Sequence, residues 1–293
     1  MGLLGVCKIC VVPPWGLFCF FVVLFLFFVF CVIIFLVNNW KGLVVVVTAV
    51  LNGFRRREVL REQVVALRGQ SVPVDEILVW FNNPGDGSHL GFVVGDGVDV
   101  VYSSRNFGVW SRFFFALNAS SEFVVVFDDD TVPGSRWVEN CLSTMGSHEG
   151  LLGSVGLTFP GAVGEHGYRG YSRHGWAEPN EGVVEVDFVG HSWFFRREWL
   201  EFFVRDLPDL SRYALCGEDM HFSFMLQKYA GIRTFVPPHP VGDRSLWGSI
   251  KGKEYGNSAE SLWVSNPSNF RGLMDEFFRL QRREGWRLVH EEA

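Results

Sequence analysis

Three adjacent carboxylates, Asp128-Asp129-Asp130, stand directly after the apolar run of residues 122–127. In extended backbone, side chains two residues apart point to the same side, so Asp128 and Asp130 can face one ligand. Carboxylates this close repel one another and tend to raise a pKa unless a cation is near. A divalent metal resolves that, and oxygen ligands suit Mg²⁺ or Mn²⁺. Such a metal can bridge to a diphosphate and neutralise the charge that develops as it leaves. The plain alternative is a solvated acidic turn; position at the end of a buried strand is what favours a ligand site.

A second acidic pair, Glu218-Asp219, opens a helical pattern that runs to residue 229. An acid at a helix N-terminus favours the dipole there and needs no other role. His239, between prolines at 237–238 and 240, can supply a further metal ligand or simply form part of an ordered loop. His191 and His221 are weaker candidates. Residues 243–249 read as a loop that could close over a ligand, with Trp247 either stacking on a sugar face or packing.

The elements that must position these groups are strands alternating with helices. Residues 43–50 form a continuous β-branched run, as a strand buried on both faces requires. Residues 55–67 follow with Val59, Leu60, Val64 and Leu67 at helical spacing, then a second strand at 76–81 ending in a turn-rich stretch. A short strand at 98–102, a helix at 110–117 and a strand at 122–127 complete this half. Such alternation implies an α/β fold with a mostly parallel sheet flanked by helices. Ligands then bind beyond the carboxyl ends of the strands. Polar clusters follow each of these strands: Thr48, Asn52 and Arg55; Asn82 and Asn83; Arg105, Asn106 and Arg112. Asn can read a base or ribose and Arg can hold phosphate, although each is singly a common turn or surface residue. Residues 146–182 are rich in Gly and read as irregular structure around a cleft. Residues 183–195 return to strand pattern. The tail at 270–280 is a helix with Phe270, Leu273, Met274, Phe277 and Phe278 on one face, packed on its own domain rather than on a membrane surface.

Taken together, the stretches 48–52, 80–83, 105–106 and 127–131 resemble the nucleotide-sugar half of the GT-A glycosyltransferases, with family 2 enzymes and the exostosin-like transferase domain as parallels. The resemblance covers about residues 43–240. It implies a GT-A-type, Rossmann-like domain over 42–245, with a nucleotide-sugar half at 42–135, an acceptor half at 136–245, and a C-terminal loop and amphipathic helix at 246–293. By that resemblance Asp128 and Asp129 line the donor site, Asp128 meeting its ribose, and Asp130, with Asp128 and His239, holds the metal. Thr48, Asn52, Arg55, Asn83, Asn106 and Arg112 become the nucleotide pocket. The acceptor half resembles residues 186–195 followed by Gly217-Glu218-Asp219, which makes Asp219 the general base with Glu218 beside it; such a base must reach the acceptor hydroxyl. The activity implied is transfer of a hexosyl or N-acetylhexosaminyl group, with Mn²⁺ or Mg²⁺, from a nucleotide-sugar, a UDP-sugar foremost, to a glycan, lipid-linked or protein acceptor. Retaining relatives use a nearby carboxylate differently, so stereochemistry stays open.

Composition sets the outer limits. Net charge is −6, which gives a nucleic-acid-binding role no electrostatic support. Cys7, Cys10, Cys19 and Cys31 lie in or before an apolar N-terminal stretch, leaving Cys141 and Cys216 for the globular part, too few for a disulfide scaffold. After a short tail at 1–16, residues 17–37 carry no charge, Gly or Pro, long enough to span a hydrocarbon core of roughly 30 Å. The run exceeds a signal-peptide core and is followed by Trp40 and Lys41, so the expectation is a retained single-pass membrane anchor. Its sidedness, Golgi or ER lumen against cytosol, stays open: Arg55, Arg56 and Arg57 argue for the cytosol, and the sequon at Asn118 for the lumen.

Two further readings compete. Asp128 and Asp130 after an apolar strand also fit a haloacid-dehalogenase-like phosphohydrolase, with Asp128 as nucleophile and Mg²⁺ as metal. That motif normally opens its domain, whereas three strands precede it here. The other is a non-catalytic module that binds a nucleotide-sugar or glycan, since fold alone does not fix activity.

Overall fold

The computed structural model describes residues 46–54, 56–82, 97–160, 167–176, 178–256, 264 and 267–291 of the chain. The segment 17–37, read above as an anchor, lies outside them. Among the described residues no helix is long and apolar enough to cross a membrane, so the expected single-pass anchor and membrane location have no support in the structure and are corrected here.

The first half builds four parallel strands: β1 (Val47–Gly53), β2 (Glu76–Phe81), β3 (Asp99–Tyr102) and β4 (Phe123–Phe127), in the spatial order β3-β2-β1-β4. All five residues of β4 are buried, as its uninterrupted apolar sequence demands of a strand covered on both faces. Helix α1 (Arg57–Arg68) follows β1 and turns Val59, Leu60, Val64 and Leu67 inward at the 3–4 spacing read from the sequence. Helix α2 (Ser111–Phe115) is short but holds two of the largest core contributions near it, Trp110 and Phe113. Burial of aromatic side chains of this size contributes on the order of 2–3 kcal/mol each before ordering costs.

The second half continues the sheet with α3 (Trp137–Ser147), β5 (Gly150–Thr158), β6 (Ser172–Gly175), β7 (Val184–Glu185) and β8 (Phe188–Arg196). It ends with α4 (Leu200–Phe203), α5 (Glu218–Ala230), β9 (Arg233–Val236), α6 (Gly252–Gly256) and α7 (Pro267–Arg283). β8 runs antiparallel between β4 and β5, and β5 pairs parallel with β9. The full order is β3-β2-β1-β4-β8-β5-β9-β7, with β6 on β5.

β5 is the main departure from the expectation of irregular structure over 146–182. Every one of its residues is buried. Its glycines hide it from a pattern search yet are required by close approach: a Cβ on Gly153 would stand 2.3 Å from Cβ of Val189. α5 matches its expected span closely because both ends are marked. Gly217 enters at φ +94°, where a Cβ would meet the Phe277 ring at 2.7 Å. Gly231 leaves at φ +65°, and N–H groups of Gly231 and Ile232 close on the carbonyls of Gln227 and Leu226.

α7 packs on its own domain, as expected. Phe277 meets the edges of Trp110 and Tyr213, while Phe278 contacts Phe159 at a centroid distance of 4.5 Å. The loop at 243–249 is not the free flap envisaged. Gly134 and Arg136 donate backbone N–H groups to the carbonyls of Trp247 and Ser245, and Asn140 Nδ2 donates to Leu246 O. Cys141 and Cys216 are both buried and free.

Candidate active site

The strand registers decide which side chains share an edge. Gly53 lies opposite Phe81, Phe81 opposite Tyr102, and Leu51 opposite Phe127. Asn52, Asn82, Ser103 and Asp128 therefore all sit at the carboxyl ends of the parallel strands, where the α/β rule locates ligands. β8 returns beside β4 with Ser192 opposite Phe127, and Asp128 N–H donates to His191 O at 2.9 Å. That antiparallel return brings His191 to the aspartates.

One carboxylate oxygen each from Asp128 and Asp130 and one nitrogen of His191 lie within 4.8 Å of one another. His191 Nδ1 is 3.7 Å from Asp128 Oδ2 and 3.5 Å from Asp130 Oδ1, too long for strong hydrogen bonds. The same Nδ1 is buried and has no hydrogen-bond partner. A buried polar atom left so is costly, and two anionic oxygens converging on it make the cost unnecessary only if something fills the space between. Two carboxylates and an imidazole fit a divalent cation, and the nitrogen favours Mn²⁺ over Mg²⁺.

The triplet is held rigidly behind this cluster. Gln63, on α1, donates Nε2 to Asp128 O at 2.6 Å and to Thr131 O at 2.8 Å. Arg56 binds Asp129 Oδ1 at 2.6 Å and reaches Asp130 Oδ2 at 3.4 Å. Burial nevertheless pushes Asp129 up to about 6, against the pull of Arg56. Burial also works against the Asp130 carboxylate, but His191 and Arg56 outweigh it and hold Asp130 below the usual carboxylate range. Asp129 is thus the Arg56 partner, and the cluster takes its flanking neighbours.

Arg112 joins the two acidic motifs. Its side chain is 6% exposed, hydrogen-bonds Asp128 Oδ1, and donates Nη2 to Glu218 Oε1 at 2.8 Å. Its guanidinium also lies 4.8 Å from the Trp193 ring centroid and its Nε donates to Val109 O. Glu218, only 8% exposed, is therefore an ion-pair partner, and burial raises its pKa despite Arg112.

Asp219 stands differently. Its Oδ1 accepts the N–H of Met220 at 2.7 Å, and its Oδ2 is 4.0 Å from where a Cβ on Gly190 would sit. It lies beside the same turn of β8 that carries His191. Burial first, and the neighbouring Glu218 second, raise it to about 8. A carboxylate with that affinity for a proton is suited to general base work near neutral pH.

The remaining expected residues distribute unevenly. Asn52 is at the correct edge, with Oδ1 buried and unpartnered. Asn106 is exposed and accepts the Gly108 N–H within its own loop. Arg55 and Asn83 lie outside the described residues. Thr48 is corrected: β1 begins at Val47, so Thr48 is at the opposite end of the strand, donating to Glu76 at 2.6 Å. His239 is corrected as well. Its Nδ1 pairs with Pro237 O at 2.8 Å, its Nε2 accepts Gly248 N–H, and burial lowers it to about 4. Both ring nitrogens are used, and the aspartates take His191 in its place. His191 is only a weaker candidate in the sequence, and Arg56 and Gln63 are not site candidates there; the β4–β8 pairing and the packing of α1 bring all three to the aspartates.

No family model matches the chain, and no curated protein matches it. Among solved structures it is similar to the mannosyltransferase PcManGT from Pyrobaculum calidifontis in complex with GDP-Man and Mn²⁺, at 19% identity and a TM-score of 0.46, over 66% of this chain and 54% of that one. It is also similar to S. aureus TarS at 16% identity and TM-score 0.45, over 66% of this chain and 35% of that one. For TarS 1-349 in complex with UDP-GlcNAc the values are 16% and 0.45, over 66% and 56%. The chain thus spans between about a third and just over half the length of these structures. By their titles, the first is a mannosyltransferase holding GDP-Man and Mn²⁺, and the TarS 1-349 structure holds UDP-GlcNAc.

Proposed function

We propose that the chain is a metal-dependent glycosyltransferase that moves a hexosyl or N-acetylhexosaminyl group from a nucleotide-sugar, a UDP-sugar foremost, to an acceptor hydroxyl. The observation that carries the reading is the convergence of Asp128, Asp130 and the unpartnered His191 Nδ1 at the carboxyl edge of the sheet. Asp128, Asp130 and His191 would hold the divalent cation. When bound, it supplies charge neutralisation for the departing diphosphate.

The protein's own groups do the rest. Asp219 takes the proton of the acceptor hydroxyl while that oxygen bonds to the anomeric carbon. The bond from that carbon to the diphosphate breaks, and the nucleoside diphosphate leaves with the electron pair. Arg112 fixes Asp128 relative to Glu218 and so sets the metal ligands relative to the base next along the helix. In the phosphohydrolase reading Asp128 would instead be a nucleophile, yet it is tied to Arg112.

The test is turnover of UDP- and GDP-sugars by the full chain, read as nucleoside diphosphate released. Turnover should fall by about 100-fold or more on chelation and return with Mn²⁺, the scale expected when several kcal/mol of charge stabilisation is withdrawn. Turnover unchanged by chelation would remove the metal from the account. Metal-dependent phosphate release from simple phosphate esters, without sugar transfer, would favour the phosphohydrolase.

A further inference from the structure

Among the described residues three non-glycines have positive φ, and two of them touch: Trp176 at +56° and His191 at +65°. For a bulky residue such as Trp this backbone region is strained, and strain of that kind persists only where the surroundings enforce it. The two rings stack with centroids 5.6 Å apart and planes 23° from parallel. Trp176 is fixed from behind by its N–H to Ser154 O at 2.8 Å. Along its edge lies α6: a Cβ on Gly252 would stand 1.8 Å from the indole Nε1, and one on Gly256 2.8 Å from Cζ2. α6 is in turn tied to α1, because Lys251 Nζ meets Glu62 Oε2 at 2.7 Å and Tyr255 Oη meets the same carboxylate at 3.0 Å.

A metal-ligating imidazole normally has its ring orientation fixed by a hydrogen bond from its second nitrogen. His191 makes no such bond among the described residues; what sets its plane is the indole. We infer that Trp176 is a positioning residue for His191, an aromatic backing that aims Nδ1 at the space between Asp128 and Asp130, and that glycine at 252 is needed to seat the indole there. This rests on the proposed metal site and adds to it the device that holds its third ligand. The Asp128 and Asp130 side chains are held by Arg112 and Arg56, and Gln63 holds the Asp128 backbone carbonyl, so His191 is the one ligand whose aim depends on stacking.

The test measures Mn²⁺ affinity of the full chain by electron paramagnetic resonance of the free ion. The variants are His191→Ala, Trp176→Ala, Trp176→Phe and Gly252→Ala, each checked for a cooperative thermal transition. His191→Ala and Trp176→Ala should both weaken Mn²⁺ binding by about 10–100-fold, the usual range for ligand-orienting partners. Trp176→Phe keeps a stacking ring and should recover most of the affinity, which a purely structural role would not predict. Gly252→Ala should imitate Trp176→Ala, and it carries the test if Trp176→Ala does not fold. Wild-type affinity in Trp176→Ala and Gly252→Ala, alongside a loss in His191→Ala, would overturn the positioning role and leave the metal site standing. Wild-type affinity in His191→Ala would instead sink the ligand assignment itself, and this inference with it.

Discussion

Asp219→Asn should lower kcat by about 10²–10⁴-fold, the range for loss of a general base, while nucleotide affinity changes little. The amide keeps the shape and still accepts the Met220 N–H, so what is removed is the capacity to take a proton. With Asp219 raised to about 8, the base is mostly protonated at neutral pH, and kcat/KM of the wild type should climb with pH up to about 8 before levelling. Stability should move the other way. A carboxyl raised by burial in the folded state contributes stability that is full below its unfolded value, near 4, and is lost as pH rises through about 8. Asp219→Asn removes that dependence, so at pH 8 the inactive variant should unfold at a higher temperature than the wild type. Pre-steady-state transfer and thermal unfolding at pH 6 and pH 8 measure both. An Asp219→Asn protein that turns over normally would remove Asp219 as the base.

Arg112→Met should cost about 3–5 kcal/mol of folding stability, the range for breaking one side of a buried ion pair. Met replaces the volume but leaves Glu218, 8% exposed, with no counter-charge, and also gives up the contact over Trp193. Glu218 is already raised by burial with Arg112 present, and losing the guanidinium raises it further. By the same sign rule the deficit should be smallest at low pH, where Glu218 is protonated in both states, and should grow as pH rises towards 8. Urea unfolding at pH 5 and pH 8 reads the difference. A pH-independent deficit would show that packing, and not the unpaired Glu218, sets it. The Arg112–Glu218 double-mutant cycle separates the two contributions, since Glu218→Gln should rescue part of the loss.

Some of this fold is legible in sequence because burial and local pattern coincide. β2, β4 and α5 are found within a residue of their observed limits: β2 and β4 are near-continuous apolar runs, and α5 is bracketed by Gly217 and Gly231. The triplet at the end of β4 is legible for the same reason. What escapes is what depends on partners distant in the chain. β5 carries glycines where Val189 and Val236 close over it, so its sequence loses the strand pattern that its burial would predict. Thr48 is misplaced because the apolar run at 43–50 does not mark where β1 begins; the register with β4 does. His239 invites a ligand reading among its prolines, yet the fold buries it and uses both of its nitrogens. His191 carries no motif of its own. A weaker candidate in the sequence, it reaches the aspartates because β8 returns antiparallel beside β4, a pairing of residues more than sixty apart in the chain.

The measurement that bears most directly on the central claim is calorimetric titration of the full chain with UDP and GDP, with and without Mn²⁺, repeated on Asp130→Ala and His191→Ala. The account predicts nucleotide binding that requires Mn²⁺, prefers UDP, and is lost in Asp130→Ala and weakened in His191→Ala. Nucleotide binding of equal strength without metal, or binding untouched by Asp130→Ala, would contradict it.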